Sequence, residues 1–357
     1  MPTERESQIL KLIQENPLIT QKELAQRLGI TRPGVASHIS RLIKAGLISG
    51  KGYVLPAEKY VTVIGATNMD VYGILKKDNL VPKGSNAGHI VTQLGGVGRN
   101  IAANLAQLGV NTNLITVYGN DQNGQTFKED ALRRNINLFY AKQLLDKPTS
   151  IYLYINRHDG QRLIGVDDMD INNRLSPAFL QSELVNINKS QLVIFDSNIP
   201  SASIRWLYDH VKVPLFAKSV SVNKAPNLVQ DNVNLTGLVI NGVEGSLLSG
   251  VDIKDIAAAQ HCANQLHQMF KTAIYLYVDR LGLFYDDGQN QDSRPYNNHL
   301  RVMNTNGVGA AMVAMTANCY LQHMTWQATL DHMILAGERT MATSASVSDQ
   351  VNAELAK

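Results

Sequence analysis

Residues 302–312 read Val302-Met303-Asn304-Thr305-Asn306-Gly307-Val308-Gly309-Ala310-Ala311-Met312, and the apolar segment that they open continues to Leu321. This segment predicts a helix that begins at a Gly-x-Gly turn. Glycine permits backbone conformations that a Cβ would obstruct, and the first N–H groups of a helix have no partner within it. The backbone of Gly307, Val308 and Gly309 is therefore predicted to bind an anion.

The composition indicates a soluble protein with a sizeable core. Of the 357 residues, 44% are hydrophobic, which suffices for one small domain and one large one. The 2 cysteines, Cys262 and Cys319, lie in apolar surroundings, so we expect no disulfide framework. The start of the sequence lacks the pattern of a signal peptide, and no apolar run approaches the length of a membrane span. These features predict a cytoplasmic protein that does not bind membranes.

Positive charge is concentrated at the start of the chain. Residues 1–56 carry eight Lys and Arg against four Glu, a formal charge of +4, whereas the whole chain has +3. The remaining residues are therefore slightly acidic. Such asymmetry suggests that the first segment binds nucleic acid, although an ordinary solvated basic face would carry the same charge.

The first segment also has the helix signals of a small domain. Apolar spacing predicts helices over 6–15, 20–29 and 32–45, followed by a two-stranded ribbon over 47–55. The second helix begins with a Thr-x-x-Glu capping box and ends at a glycine. The third begins with a threonine cap and a proline in its first turn. A tight turn therefore separates the second helix from the third.

This arrangement resembles a winged helix-turn-helix domain over residues 1–56. The string that carries the resemblance is Leu-Ala-x-x-Leu-Gly-Ile-Thr-x-x-x-Val-x-x-His-Ile. The resemblance implies that the third helix lies in the major groove of double-stranded DNA, with Lys51 in the wing near phosphate. The residues of the third helix that would meet DNA are Arg32, Ser37, His38, Ser40 and Arg41. A small helical domain that binds a protein instead of DNA is the alternative.

From residue 60 onward the pattern becomes that of an α/β domain. Val61-Thr-Val-Ile-Gly-Ala66 predicts a buried first strand, and further apolar strands alternate with helices. Such alternation predicts a mostly parallel sheet that is covered on both faces. Asn68 and Asp70 follow the first strand, at the edge where ligands bind in open α/β sheets, although either could be an ordinary turn residue.

Three strings in this part of the chain resemble motifs of the PfkB/ribokinase family of carbohydrate and nucleoside kinases. They are Gly95-Gly-Val-Gly-Arg-Asn100 with the helix that follows, Tyr118-Gly-Asn-Asp-Gln-Asn-Gly124, and residues 302–312. The resemblance implies a ribokinase-like α/β/α sandwich over 60–357. It also implies a small β lid over the sugar, at about 71–92 and 137–165.

The family resemblance implies a set of binding residues as well. A sugar or nucleoside would bind Asn68, Asp70, Gly96, Arg99, Asn100 and Asp168, while Asn241 and Glu244 would organise Mg²⁺. The string Thr149-Ser-Ile-Tyr-Leu153 looks most like the pseudouridine kinase branch of the family. Dimerisation through the lid is frequent in the family, so we expect a homodimer.

Several positions depart from the family pattern, and they lie on its nucleotide side. Ala310 stands where the family has the Asp that acts as general base, and Lys218 stands where it has the Asp of an Asp-Pro-Val-Ser string. Tyr277 and Asp279 replace a Ser or Thr and a Gly of a string that lies along the nucleotide. The residues implied for the sugar, by contrast, largely match.

These departures predict a catalytically degenerate kinase domain that binds a sugar or nucleoside and regulates transcription through the DNA-binding domain. No cofactor is certain on this hypothesis. The alternative is an active kinase that uses Mg-ATP to phosphorylate a sugar or nucleoside, because loss of a general base costs only about 10²–10⁴-fold in rate. In that case Asp167 or Asp168 would replace the missing base.

Overall fold

The computed structural model describes residues 2–16, 19–45, 47–48, 59–77, 80–158 and 162–356. It divides the chain into two compact units, Met1–Lys59 and Tyr60–Lys357.

The helices are α1 Glu4–Glu15, α2 Gln21–Leu28, α3 Arg32–Lys44, α4 Val97–Gln107, α5 Gln122–Arg133, α6 Pro177–Ile187, α7 Ser201–His210, α8 Gly242–Ser249, α9 Ile256–Phe270, α10 Val308–Leu321 and α11 Trp326–Met341. The strands are β1 Val61–Ile64, β2 Asn68–Leu75, β3 Gly88–Gly95, β4 Thr112–Ile115, β5 Val117–Gly119, β6 Ile136–Asn137, β7 Lys142–Leu144, β8 Ile151–Asn156, β9 Arg162–Asp168, β10 Leu192–Asp196, β11 Leu215–Lys218, β12 Gly237–Asn241, β13 Ala273–Val278, β14 Gly282–Asp286 and β15 Gln291–Arg294.

The first unit contains the three predicted helices, and local capping sets their ends. At the start of α2 the backbone N–H of Glu23 donates to the Thr20 hydroxyl at 3.2 Å, and the backbone N–H of Thr20 donates to the Glu23 carboxylate at 2.8 Å. Gly29 ends this helix with a φ of +64°, which glycine adopts without strain. The unit has a core of its own, formed by Ile9, Ile13, Ile19, Leu24, Val35, Ile39, Leu42 and Ile48. Most of the predicted ribbon, 49–55, lies outside the described residues.

The second unit is built on a large, mostly parallel sheet. Its described strands follow the order β15-β14-β13-β12-β11-β10-β1-β4-β6. The strands from β6 to β13 in this order are parallel to their neighbours, and β14 and β15 add an antiparallel edge. Every residue of β1 and β10 is buried, as the continuous apolar runs in the sequence predict for strands covered on both faces.

Helices cover both faces of this sheet. Buried side chains of α4, α5, α10 and α11 form one apolar cluster against the sheet, and those of α6, α7 and α9 form a second one. The predicted ribokinase-like α/β/α sandwich is therefore confirmed. Among the helices that the structure describes, none is long and apolar enough to cross a membrane.

A four-stranded sheet, in the order β3-β2-β8-β9, forms the lid. The predicted lid ranges need correction. The first, 71–92, is too short at both ends, since its strands begin at Asn68 and end at Gly95. The second, 137–165, begins too early, because β6 pairs with β4 in the large sheet and β7 pairs with β5. Short strands of similar pattern join different sheets here, and the pattern alone does not specify the partner.

Candidate functional site

Two cavities lie in the second unit, beyond the carboxyl ends of its parallel strands. We call the first, of about 420 Å³, the lid cavity because residues of β2, β8 and β9 line it. We call the second, of about 470 Å³, the Lys218 cavity after the buried lysine in its wall. Residues common to both linings are Val97, Asn100, Val220, Asn306 and Gly307. The two cavities are therefore neighbours, and one ligand could extend from one into the other.

The lid cavity brings together four of the residues predicted to bind a sugar, namely Asn68, Asp70, Gly96 and Asn100. Asn68 is only 3% exposed, and its Nδ2 donates to Asp70 Oδ1 at 2.6 Å. Gly96 has a φ of +92°, and a Cβ there would lie 2.5 Å from the carbonyl oxygen of Ala66. Only glycine therefore lets the chain turn into α4 at this point. Neighbouring amide and carboxylate groups supply the donors and acceptors that sugar hydroxyls need.

Arg99 is a correction to the predicted set, because its side chain is buried away from both cavities. The guanidinium pairs with the carboxylate of Asp130, to which its Nε donates at 3.0 Å, and burial lowers the pKa of Arg99. Its Nη1 donates to Asn100 Oδ1 at 2.9 Å. Arg99 therefore orients Asn100, which does line the cavities, and is not itself placed to touch a ligand.

Asp168 is a second correction, and the alternation of side chains along β9 explains it. Asp167 pairs in register with Tyr152, and both line the lid cavity. Asp168 pairs with Ile151, and successive residues of a strand point to opposite faces. The lid cavity therefore receives the carboxylate of Asp167. A one-residue error in register moves a side chain to the other face of the sheet.

Asp196 links the first strand to the glycine-rich turn before α4. The carboxylate is fully buried and accepts hydrogen bonds from the backbone N–H groups of Ala66, at 3.0 Å, and Asn198, at 2.9 Å, and from that of Gly98. A Cβ on Gly65 would lie 2.3 Å from Asp196 Oδ2, so that glycine permits the contact. Burial raises the pKa of Asp196 to about 6, although the three hydrogen bonds oppose the shift.

Lys218 lies at the end of β11, between the turn before α10 and α8. Its side chain is 4% exposed, and its Nζ donates to the carbonyl oxygen of Ser219. Glu244 Oε2 lies 3.8 Å from Nζ, and the ring of Tyr277 has its centroid 5.3 Å away. Burial lowers the pKa of Lys218, whereas Glu244 and Asp196 raise it. The positions that depart from the family pattern, Lys218, Tyr277, Asp279 and Ala310, line this one cavity.

The predicted anion turn lies where the two cavities meet. Gly307 has a φ of +89°, and a Cβ there would lie 1.9 Å from the carbonyl oxygen of Ser346, so the turn requires glycine. The helix α10 begins at Val308, and no side chain among the described residues caps it. Ala310, in the first turn of the helix, is buried and lines the Lys218 cavity. No carboxylate extends from position 310 toward the junction of the cavities.

In the first unit, most of the residues predicted to contact DNA are exposed on α3. Arg32, Ser37 and Arg41 are exposed. His38 is half-buried, with its Nδ1 3.4 Å from the buried carboxylate of Glu6, which also pairs with Arg41 Nε at 3.3 Å. Glu6 therefore fixes two side chains of α3 from the side of α1. Lys51 lies outside the described residues.

Sequence reasoning missed several polar residues of the lid cavity. They are Tyr152, Asn198, Asn223, Lys224 and Ser346. Asn198, Asn223 and Lys224 follow β10 and β11, so the rule that ligands bind beyond the carboxyl ends of parallel strands could have indicated them. Ser346 reaches the cavity from the segment after α11, and no local sequence pattern signals that contact.

Comparison with known proteins defines the class of this chain. A model of the pfkB family of carbohydrate kinases matches residues 58–354, and a model of winged helix-turn-helix DNA-binding domains matches residues 3–49. The chain belongs to the pfkB family of carbohydrate kinases and carries an N-terminal winged helix-turn-helix domain. Both family predictions are thereby confirmed.

Particular relatives agree with this class. The chain is 33% identical over 276 residues to the uncharacterized sugar kinase YeiI of Escherichia coli K12, covering 77% of this chain and 76% of that one. It is 31% identical over 269 residues to the pseudouridine kinase of the same organism, covering 74% of this chain and 85% of that one. An Arabidopsis thaliana ribokinase solved with ribose and ATP shares the fold, with a TM-score of 0.72 at 19% identity over 84% of this chain and 99% of that one.

Kinases of this family use Mg-ATP, and the residues of this chain fit Mg²⁺ poorly. The two predicted ligands are occupied with each other in a capping box at the start of α8. The backbone N–H of Glu244 donates to Asn241 Oδ1 at 2.8 Å, and Asn241 Nδ2 donates to Glu244 Oε1 at 2.9 Å. The cation that faces Glu244 is Lys218. Within the described ranges, no group of three or more His, Cys, Asp or Glu side chains is placed to hold a metal ion.

Proposed function

We propose that this chain is a ligand-responsive transcriptional regulator whose kinase domain binds a sugar or nucleoside and has lost efficient phosphoryl transfer. The observation that carries the proposal is Ala310, a residue without an ionisable group that lines the Lys218 cavity three positions after Gly307, which borders both cavities. A group that accepts the proton of the substrate hydroxyl speeds the transfer by about 10²–10⁴-fold, and among the described residues Gly307–Ala310 offer backbone N–H groups and no such side chain. Lys218 beside Glu244 supports the same conclusion, since it stands against the predicted metal ligand.

The ligand class follows from the lid cavity. Its polar lining includes Asn68, Asp70, Asn100 and Tyr152, which together offer amide, carboxylate and phenol groups. Two relatives are named as a sugar kinase and a pseudouridine kinase, so a sugar or nucleoside, pseudouridine among them, is the proposed ligand. The ligand would bind with hydroxyls toward these side chains, of which Asn68, Asp70 and Tyr152 lie on lid strands.

Regulation requires that the winged helix-turn-helix domain binds DNA. The exposed residues of α3 and the basic excess of the first segment support this role.

We further propose a homodimer, because the outer face of the lid sheet presents exposed apolar side chains, Ile90, Leu153, Ile164 and Val166. An isologous pair of lids would place two recognition helices on a DNA site with two-fold symmetry.

The proposal is tested by DNA binding in the presence and absence of ligand. Duplexes that bind the full chain would first be selected from a random library, and their affinities then measured with and without a panel of sugars and nucleosides. At least one compound should change the affinity by about fivefold or more, the usual lower range of allosteric coupling. Equal affinities under all conditions would contradict a regulatory role for the kinase domain. Binding that does not weaken with salt would instead favour a domain that contacts a protein.

A second candidate function, an active ATP-dependent kinase, is favoured by Asp167. Its carboxylate lines the lid cavity and could accept the proton of a substrate hydroxyl in place of the missing base. Transfer of phosphate from Mg-ATP to a sugar or nucleoside would establish this function. An Asp167→Asn variant should then lose activity, and an Asp168→Asn variant, altered on the opposite face of β9, should retain it.

A further inference from the structure

The Lys218 cavity contains a buried cation of the protein beside a turn whose backbone amides have no acceptor among the described residues. We propose that the two cavities together bind a phosphate monoester of a sugar or nucleoside, with its phosphate held by Lys218 and the Gly307–Gly309 turn and without a divalent metal. This inference rests on the proposed function, since it names the chemical class of the ligand that the kinase domain senses.

Lys218 has hydrogen-bonding capacity left for a ligand. Its ammonium carries three N–H donors. In the part of the chain that the structure describes, Nζ donates to one acceptor, the carbonyl oxygen of Ser219. Glu244 Oε2, at 3.8 Å, balances part of the charge but is too distant for a hydrogen bond. A charge that is 96% buried with spare donors is costly unless a partner arrives, and a phosphate oxygen would be such a partner.

The Gly-x-Gly turn lies directly against this lysine. A Cβ on Gly309 would be 3.1 Å from Lys218 Nζ and 2.1 Å from its Cε, so any larger residue would displace the ammonium. The helix that follows is 14 residues long, and in the described part of the chain no side chain caps its first N–H groups. Its positive end and the lysine therefore act on the same small volume, and both favour an anion there.

The remaining charges of the Lys218 cavity do not cancel this preference. Position 310 contributes no carboxylate, because Ala310 occupies it. Asp252 and Asp279 line the cavity but are exposed, and Asp252 pairs with Lys254 at 3.0 Å. Exposed charges are screened by water more strongly than buried ones, and the buried Glu244, at 3.8 Å from Nζ, offsets only part of the Lys218 charge. The buried side of the cavity is therefore the side that attracts a phosphate.

The shared wall of the two cavities sets the shape of the ligand. Asn100, Asn306 and Gly307 border both spaces, so a sugar in the lid cavity would have one hydroxyl directed at the turn. A phosphate already attached to that hydroxyl would reach Gly307 and Lys218. One phosphate ester would then occupy both cavities, where an active kinase would bind its sugar or nucleoside and its ATP.

Binding of matched pairs of compounds tests the inference. The probes are pseudouridine and its 5′-phosphate, ribose and its 5-phosphate, and inorganic phosphate, each measured by calorimetry on the full chain with EDTA and again with Mg²⁺. One phosphate ester should bind at least about tenfold more tightly than its parent compound, the range for a charged hydrogen bond, and equally well in EDTA. In a Lys218→Met variant this difference should be lost while the parent compound still binds.

Two further variants keep the result interpretable. Lys212→Met, an exposed lysine just before β11, is the matched control and should bind the ester as the original chain does. If Lys218→Met does not fold, the double variant Lys218→Met/Glu244→Gln removes both charges of the pair and should show the same loss. Esters that bind no better than their parents, or that require Mg²⁺, would overturn the inference and leave the proposed function standing. Binding of neither parents nor esters would overturn both.

Discussion

Asp196 is a buried carboxyl group whose ionisation should make stability depend on pH. Its folded-state pKa of about 6 lies above the ordinary value of 3.8, because burial disfavours the charged form. The folded state therefore binds the proton more tightly than the unfolded one. The contribution of this group to the free energy of unfolding is fully present below pH of about 4 and is lost, by up to about 3 kcal/mol, as the pH rises through 6.

Urea unfolding between pH 4 and 8 measures this effect. An Asp196→Asn variant should be less stable overall, since its amide cannot accept all three N–H bonds, but its stability should decrease less over this pH range. Asp209→Asn, an exposed carboxylate of α7, is the control and should follow the original chain. An unchanged pH slope in Asp196→Asn would show that this carboxylate is ionised throughout the range.

A comparison of two glycines separates the effect of close packing in the turn before α10 from the effect of backbone strain. Gly307 and Gly109 both have positive φ, +89° and +81°, but only at Gly307 would a Cβ meet another atom, 1.9 Å away. Gly109→Ala should cost about 1–2 kcal/mol of stability through strain alone. Gly307→Ala should cost clearly more, because Ser346 must also move, and should abolish ligand binding. Thermal unfolding of both variants measures the difference, and equal losses would contradict the close packing of this turn.

The helix α3 is the one predicted to contact DNA, and Arg41 is its most testable residue. The side chain is 58% exposed; Glu6 holds its Nε, and its Nη2 lies 2.9 Å from His38 Nδ1, which leaves Nη1 for a phosphate or a base. Arg41→Ala should weaken DNA binding and, if the contact is to phosphate, lower the salt slope by about 1. Arg133→Ala, an exposed arginine of α5, is the control. Weaker folding of the first unit with unchanged DNA affinity would assign Arg41 a structural role only.

The sequence predicts the helices and strands of this protein better than it predicts how the strands pair and which way their side chains point. The caps at Thr20 and Thr31 and the buried runs such as Val61–Ile64 are local signals, so the helices and strands follow from them. The partner of a short strand such as β6 or β7 depends on distant segments, so the lid ranges were only partly right. The face on which Asp168 lies depends on a register of one residue. Arg99 was misassigned because its partner, Asp130, is 31 positions away in the sequence.

For the whole molecule, the outer face of the lid predicts a dimer. Ile164 and Val166 are both 60% exposed and alternate along β9 with residues of the cavity face, so the sheet has one apolar and one polar side. Ile164→Asp should weaken self-association by about tenfold or more, since a charge would be buried in the interface. Sedimentation measures this, with Val185→Asp on α6 as a control of similar exposure. A monomeric original chain would contradict the dimer.

We propose for the whole chain a kinase fold that binds a sugar or nucleoside and no longer uses Mg-ATP efficiently. The most direct test is thermal unfolding of the full chain with two panels, one of sugars, nucleosides and their phosphate esters, the other of ATP and ADP with Mg²⁺. A ligand that binds only the folded state raises the midpoint by mass action, by an amount that corresponds to about 2.7 kcal/mol at a hundred times its Kd. The account predicts a shift with a compound of the first panel and none with Mg-ATP. A clear shift with Mg-ATP, followed by phosphate transfer to a compound of the first panel, would contradict it.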